Sequence, residues 1–168
     1  NLASVTLLLS TLNTPIDKLN LIADEHVLLG ANLSNIKALT ESLGADDSIR
    51  EIKSVAKIPV LSQLIEDYFD GDISALNSIR VRQPGAPFSQ EAWKAMKKVR
   101  PGSVISYSDL AARAGSPAAV RAAGSACAKN AIVLIVPCHR IVKTGGALGN
   151  YAYGLNKKEW LLHHEGAL

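Results

Sequence analysis

The sequence has little with which to hold a metal, build a disulfide framework or cross a membrane. Its 168 residues include two cysteines, Cys127 and Cys138, too few for a disulfide scaffold and without Cys-x-x-Cys spacing. A reducing, intracellular setting is therefore the default expectation. The histidines, His26, His139, His163 and His164, show neither His-x3-5-His nor paired-cysteine spacing, so no metal is expected. No apolar run approaches the roughly 20 residues of a spanning helix. Asn1 to Ser10 are apolar but carry no basic n-region and no small-residue cleavage site, and do not read as a secretory signal. The chain does not begin with Met, so its natural start is expected upstream.

What is present is ordinary globular composition, 48% hydrophobic and 20% charged, in a length that suits one domain or two small ones. The net charge of +3 conceals an asymmetry. Residues 1–80 carry 6 Lys/Arg against 11 Asp/Glu, a net −5, whereas residues 81–168 carry 12 against 4, a net +8. A basic half of this kind points to a polyanion, although basic faces also occur on proteins that bind none.

Val5–Leu9, Lys18–Ala23 and Val27–Leu29 read as short strands of an antiparallel meander, with a turn at Asn13-Thr14-Pro15. Apolar residues three or four apart then predict helices over 34–43 and 58–70, the second stopped by Asp70-Gly71-Asp72. The expected fold is a two-domain α/β (α+β) protein: an N-terminal supporting domain over 1–80, a Pro/Gly linker over 81–87 and a mostly helical C-terminal domain over 88–168. In the latter, a helix over Glu91–Val99 is followed by Ser106-Tyr107-Ser108-Asp109, a capping box opening a short helix that Gly115 ends. Ser116, with Pro117 behind it, is expected to cap a third helix, completing a helix-turn-helix. From Ala111 to Ala128, 13 of 18 residues are Ala, Gly or Ser, and from Ser116 onward Arg121 is the only long charged side chain. Two readings stay open for this thin helix: close packing against a neighbour, or entry into a narrow DNA groove with Arg121 as a probe. Ala131–Val136 is a continuous apolar run with β-branched residues, predicting a strand buried on both sides.

That run leads into Pro137-Cys138-His139-Arg140. The thiolate is the reactive form of cysteine, and a nearby base or positive charge lowers its pKa from about 8.5. His139 can be that base, directly or through a water, because neighbours in an extended segment point opposite ways. An imidazole base needs a carboxylate on its far nitrogen. Of the four carboxylates in the basic half, Glu91 and Asp109 fall at helix starts and Glu159 can be solvated, which leaves Glu165 as the better candidate. Cys127, flanked by alanines, reads as a small buried hydrophobe, and for Cys138 the same reading stays open beside the nucleophilic one.

Val136-Pro137-Cys138-His139-Arg140-Ile141-Val142, then Gly146–Tyr151 and Lys158–Gly166, closely resemble the O6-alkylguanine-DNA alkyltransferases, also called methylated-DNA–protein-cysteine methyltransferases. The resemblance is strong from Phe88 to Gly166 and weak over 1–80. It implies an N-terminal ribonuclease-H-like roll, with a small antiparallel sheet and helices, and a winged-helix-like C-terminal domain. It also implies single-turnover repair, in which Cys138 keeps the alkyl group of O6-alkylguanine, and of O4-alkylthymine, as a thioether. In this family pattern His139, through a water, and Glu165 match the base and its orienting carboxylate. Tyr107 matches the proton donor to the leaving guanine and a contact that turns the target phosphate. Arg121 matches the finger that replaces a flipped nucleotide, with Ala119, Ala122 and Ser125 also against DNA. Asn130 matches an asparagine tying the helix-turn-helix to the active-site strand; Pro137, Ile141, Tyr151, Ala152 and Tyr153 complete the substrate pocket.

The chemistry agrees with that implication. A base inside a duplex must leave the stack to meet a protein sulfur. In-line attack on a saturated carbon needs placement and a protonated leaving group, not a metal or organic cofactor. The implied partner is double-stranded DNA with alkylated guanine, no membrane is involved, and the protein is expected to be a monomer, with cooperative binding left open. Tyr153 is bulkier than the residue other members can carry, and is expected to narrow the alkyl pocket. Residues 1–80 contain His26 and no cysteine, so the zinc site of some relatives has no counterpart. The alternatives are a damaged-DNA-recognising or regulatory helix-turn-helix protein without chemistry, which Cys138 argues against, and a cysteine hydrolase, which would leave the helix-turn-helix without a role.

Overall fold

The computed structural model describes residues 5–25 and 27–168; Asn1–Ser4, part of the segment weighed as a signal, and His26 lie outside the described residues. The chain divides into two compact units, 1–84 with 131–133, and 85–130 with 134–168. Among the described residues no helix is long and apolar enough to cross a membrane.

The first unit opens with the expected meander, β1 (Leu7–Asn13), β2 (Lys18–Ala23) and β3 (Leu28–Asn32). Its turns are built by side chains: Thr14 Oγ1 accepts from Ile16 N and Asp17 N, and Asp24 Oδ1 from Val27 N, the local bonding that makes Thr and Asp turn residues. The helix expected over 34–43 is α1 (Ile36–Glu41), capped by Asn35, whose side chain accepts from Ala38 N at 2.8 Å. After α2 (Ala45–Ser48) the chain adds β4 (Ile52–Ser54) to the sheet, in the order β3-β2-β1-β4. β4 runs parallel to β1, so the sheet is mixed rather than antiparallel. A three-residue exposed strand leaves no alternation to read. The second expected helix is α3 (Leu61–Phe69), shortened at its start because Pro59 and Val60, with φ 68°, precede it. Leu7, Leu9, Ile22, Leu29 and Leu39 form a core cluster.

Residues 132–136 are buried as expected, with Ala131 half-buried, but the run is not a strand. Ile132 alone bridges to Ala31, and the chain then turns through Val133–Ile135, with Leu134 at φ 76°. Left-handed backbone costs a non-glycine residue about 1–2 kcal/mol. An apolar run reports burial, not backbone direction, and here the buried segment passes from one unit to the other.

In the second unit α4 (Pro87–Lys97) begins four residues before the expected Glu91, with Pro87 at its start, where a missing N–H leaves nothing unsatisfied. Trp93 Nε1 donates to Ala126 O at 2.9 Å. β5 (Ile105–Ser106) feeds α5 (Tyr107–Arg113), whose cap is the expected one: Ser106 Oγ accepts from Asp109 N at 3.0 Å. The next helix, α6 (Val120–Ala128), starts later than expected and has no side-chain cap. Ser116 instead opens a turn closed by Ala119 N donating to Ser116 O at 2.9 Å. Gly115, at φ 98°, takes the chain out of α5, and the residues expected as the first turn of the helix are used to redirect it. A 3-10 turn (Cys138–Arg140) leads into β6 (Ile141–Val142), which pairs in parallel with β5. α7 (Leu155–His164) follows, and Glu165 ends it.

Candidate active site

The turn Cys138–Arg140 is short, and all three of its residues are buried. Pro137 O accepts from Arg140 N at 3.0 Å, which tightens the segment so that consecutive side chains diverge. His139 Nε2 meets Glu165 Oε2 at 2.9 Å with both side chains at 0% exposure. Arg140 grips the same carboxylate, Nε on Oε1 and Nη2 on Oε2, each at 2.9 Å, and its Nη1 donates to Val99 O at 2.8 Å. The structure thus places Glu165 against His139, and adds Arg140 as a third member that the motif contains but the residue reading did not use.

Burial pushes the Glu165 carboxyl up, but the hydrogen bonds from His139 and Arg140 and their charges outweigh it and hold it well below the usual carboxylate range. His139 is pushed down by burial, which exceeds the upward pull of Glu165; Arg140 and Lys158 add to the lowering. At neutral pH it is therefore an uncharged imidazole able to accept a proton. Its Nδ1 is buried and has no partner among the described residues. Burial also raises the Cys138 thiol, opposed by the Asn130 hydrogen bond and the Lys158 charge. Asn130 Nδ2 donates to Val136 O at 2.8 Å and lies 3.5 Å from Cys138 Sγ.

Cys138 opens on a cavity of about 470 Å³ within the second unit, shared with Tyr107, Arg121, Cys127, Tyr151 and Ala152. That size suits a small organic group such as a base, since ligand sites run to roughly 300–1,000 Å³. Tyr107 is half-buried at the start of α5, and its hydroxyl interacts with the backbone of Asn150; burial raises its pKa. Gly149, at φ 76°, lies so close that a Cβ there would stand 2.9 Å from the Tyr107 hydroxyl. Arg121, Ala122 and Ser125 are exposed on α6 whereas Ala123 and Ala126 are fully buried. The packing reading of the small-residue helix thus holds for the face carrying Ala123 and Ala126, while the face carrying Arg121, Ala122 and Ser125 is exposed. Ala119 is half-buried.

Not every expected pocket residue lines the cavity. Pro137 and Ile141 are buried outside its wall. Tyr153 does not line it either, but packs edge-on against Tyr151, which does, with centroids 5.9 Å apart. Lys158 is the residue missed altogether: on a helix its sequence signal is that of a solvated lysine, yet it is fully buried. Cys127, expected to be inert core, is half-buried and faces the same cavity as Cys138. A larger cavity of about 650 Å³ in the first unit is lined by Asp46, Asp47, Arg50 and Arg82. Asp47, Arg50 and Arg82 are tied up in ion pairs such as Arg82–Asp47 at 3.0 Å, and among the described residues no thiol or imidazole lines it.

Fold and site together define a helix-turn-helix protein with a buried cysteine, histidine and glutamate beside a base-sized cavity. The family described as the 6-O-methylguanine DNA methyltransferase DNA-binding domain matches residues 87–167. The methylated-DNA–protein-cysteine methyltransferase of Salmonella typhimurium is 43% identical over 108 residues, 64% of this chain and 63% of that protein. The human protein of the same name is 38% identical over 171 residues, 94% of this chain and 79% of its own. Among solved structures, Mycobacterium tuberculosis O6-methylguanine methyltransferase superposes with a TM-score of 0.75 at 28% identity, covering 96% of this chain and 93% of the other. Mycobacterium tuberculosis OGT in complex with DNA matches with a TM-score of 0.76 at 27% identity, over 95% and 93%. The chain belongs to the methylated-DNA–protein-cysteine methyltransferase family, and it spans 63% of the length of the Salmonella relative.

Proposed function

We propose that this protein repairs DNA by direct reversal, moving the alkyl group of O6-alkylguanine, and of O4-alkylthymine, onto Cys138 in a single turnover. The observation that carries the reading is Cys138 at the cavity wall, 3.5 Å from the Asn130 amide, beside an uncharged imidazole whose far nitrogen is held by a carboxylate. The thiol proton passes through a water to His139 Nδ1, and Glu165 stabilises the imidazolium that forms. Sulfur attacks the alkyl carbon in line; the S–C bond forms as the C–O6 bond breaks. The electron pair goes to guanine, which takes a proton from the Tyr107 hydroxyl and leaves neutral. A thioether has no easy hydrolytic exit, so the reaction ends there.

The exposed face of α6 suits a narrow groove, with Ala119, Ala122 and Ser125 offering little bulk and Arg121 reaching into the stack as the target base turns out. Asn130, Pro137, Ile141, Tyr151, Ala152 and Tyr153 form or back the base pocket. The second unit carries the chemistry and DNA contact, the segment around 81–87 is a linker, and the acidic first unit supports without touching DNA. Binding as a monomer to the duplex places the protein with the chromosome, in cytoplasm or nucleus according to the cell.

Incubation with a duplex containing methylated guanine is expected to add one methylene per molecule at Cys138, read by intact mass and peptide mapping. Repeated turnover, or no mass gain, would refute the proposal. In the same assay Arg121→Ala is expected to slow repair of duplex by about 10–100-fold, because unstacking costs a few kcal/mol and each 1.36 kcal/mol is tenfold. Reaction with free alkylguanine base should be nearly unchanged; equal losses on both would sink the finger role.

A further inference from the structure

Lys158 stands outside the relay just described, and its surroundings are unusual for a lysine. It is fully buried on α7, where desolvation disfavours an ammonium and lowers its pKa. Two backbone carbonyls hold it: Nζ donates to Ile141 O at 2.6 Å and to Asn150 O at 3.1 Å. Ile141 follows the acceptor turn directly and opens β6. Asn150 belongs to the loop whose backbone meets the Tyr107 hydroxyl, and its neighbour Gly149 sits against that same ring. Lys158 Nζ itself lies 6.0 Å from the Tyr107 ring centroid. One cation therefore touches both the segment carrying the nucleophile and the loop that seats the phenol.

We infer that Lys158 is a positioning residue for the transfer: by tying Ile141 to Asn150, it holds Tyr107 at a set distance and angle from Cys138. The inference rests on the reading of Tyr107 as the proton donor. A thiol and an acid must address opposite ends of one C–O bond, and small misplacements of either lose much of the benefit of their proximity. The two groups come from a 3-10 turn and a helix start more than thirty positions apart in the chain, from 107 to 138, and β5–β6 pairing links them through only two residue pairs. Lys158 supplies the second tie, and it acts on side-chain placement that backbone pairing leaves free. A neutral isostere would keep the packing of the stem and lose both hydrogen bonds.

The test is a double-mutant cycle of Lys158→Met with Tyr107→Phe, read on alkyl transfer from free alkylguanine base, so that DNA binding does not enter. General-acid help is worth about 100-fold or more, so Tyr107→Phe is expected to lose about that much. Lys158→Met is expected to lose about 10–100-fold by loosening the same acid, and the double variant to be no slower than Tyr107→Phe alone, the signature of coupled residues. Alkylation of Cys138 by iodoacetamide, whose iodide leaves without protonation, should slow in Lys158→Met only through loss of the Lys158 charge that favours the Cys138 thiolate, and so by clearly less than transfer from guanine. Lys158→Gln keeps one donor without the charge, and replaces Lys158→Met in the cycle if the latter does not fold. Additive losses, or equal slowing of both Cys138 reactions, would overturn the role of Lys158. No transfer by the wild-type protein would instead overturn the function on which it rests.

Discussion

Cys138→Ala is expected to take up no alkyl group at all while still binding duplex that carries the lesion. The result is not trivial, because Cys127 faces the same cavity and is the other thiol of the chain. Burial pushes the Cys127 thiol up to about 12, with the Cys138 charge adding to it. At neutral pH that thiol stays protonated, and Cys127 lies in the last turn of α6 rather than adjoining a histidine. Cys138 is also raised by burial, but it has the Asn130 amide at 3.5 Å and a neighbouring imidazole to take its proton. The substitution should leave the fold intact. Asn130 keeps its 2.8 Å bond to Val136 O, so stability should fall by about 1 kcal/mol or less. Intact mass and a gel-shift assay decide the matter: alkyl uptake mapped to Cys127 would count against the assignment.

Glu165→Ala is expected to destabilise the protein by about 3–5 kcal/mol, the usual cost of removing one partner from a buried ion pair. The carboxylate accepts three hydrogen bonds, one from His139 and two from Arg140. Without it the Arg140 guanidinium, 4% exposed, keeps Val99 O but loses its counter-charge. Such a loss is a large share of the 5–15 kcal/mol that holds a typical domain. Glu165→Gln should lose less, since it retains the shape and one acceptor. Urea midpoints measure both, and a shift as small as that of a surface substitution would show that the cluster contributes little.

The same cluster sets the response to acid, and both of its groups act in one direction. The His139 pKa is lower folded than unfolded, so the unfolded chain takes up its proton first and stability falls once pH drops below about 6.5. The Glu165 pKa is depressed in the fold; its contribution is complete above the unfolded value of about 4.3 and is lost as pH falls through the folded one. Wild-type protein should therefore weaken in two stages, and Glu165→Gln should retain the first and lose the second.

Much of this protein was legible in its residues because the signals are local. The capping box at Ser106–Asp109 is contained in four positions, the meander declares itself by turn residues, and Pro-Cys-His-Arg is contiguous. The small-residue helix was legible too, although not that it serves packing on one face and exposure on the other. What the sequence alone could not decide involves groups brought together from a distance. Glu165 was singled out by elimination and resemblance, but its grip on Arg140 as well as His139 depends on where α7 ends, some 25 residues along the chain. Lys158 carries no sequence mark because a lysine is the same residue in water and in a core; only packing decided that it is dehydrated and held by Ile141 and Asn150. The parallel placement of β4, the turn at 133–135 where a strand was predicted, and the start of α6 at Val120 belong to the same class. Periodicity and apolarity determine whether a segment is buried, while direction and partner are set by tertiary structure, which must satisfy each buried backbone and charged group from whatever lies beside it.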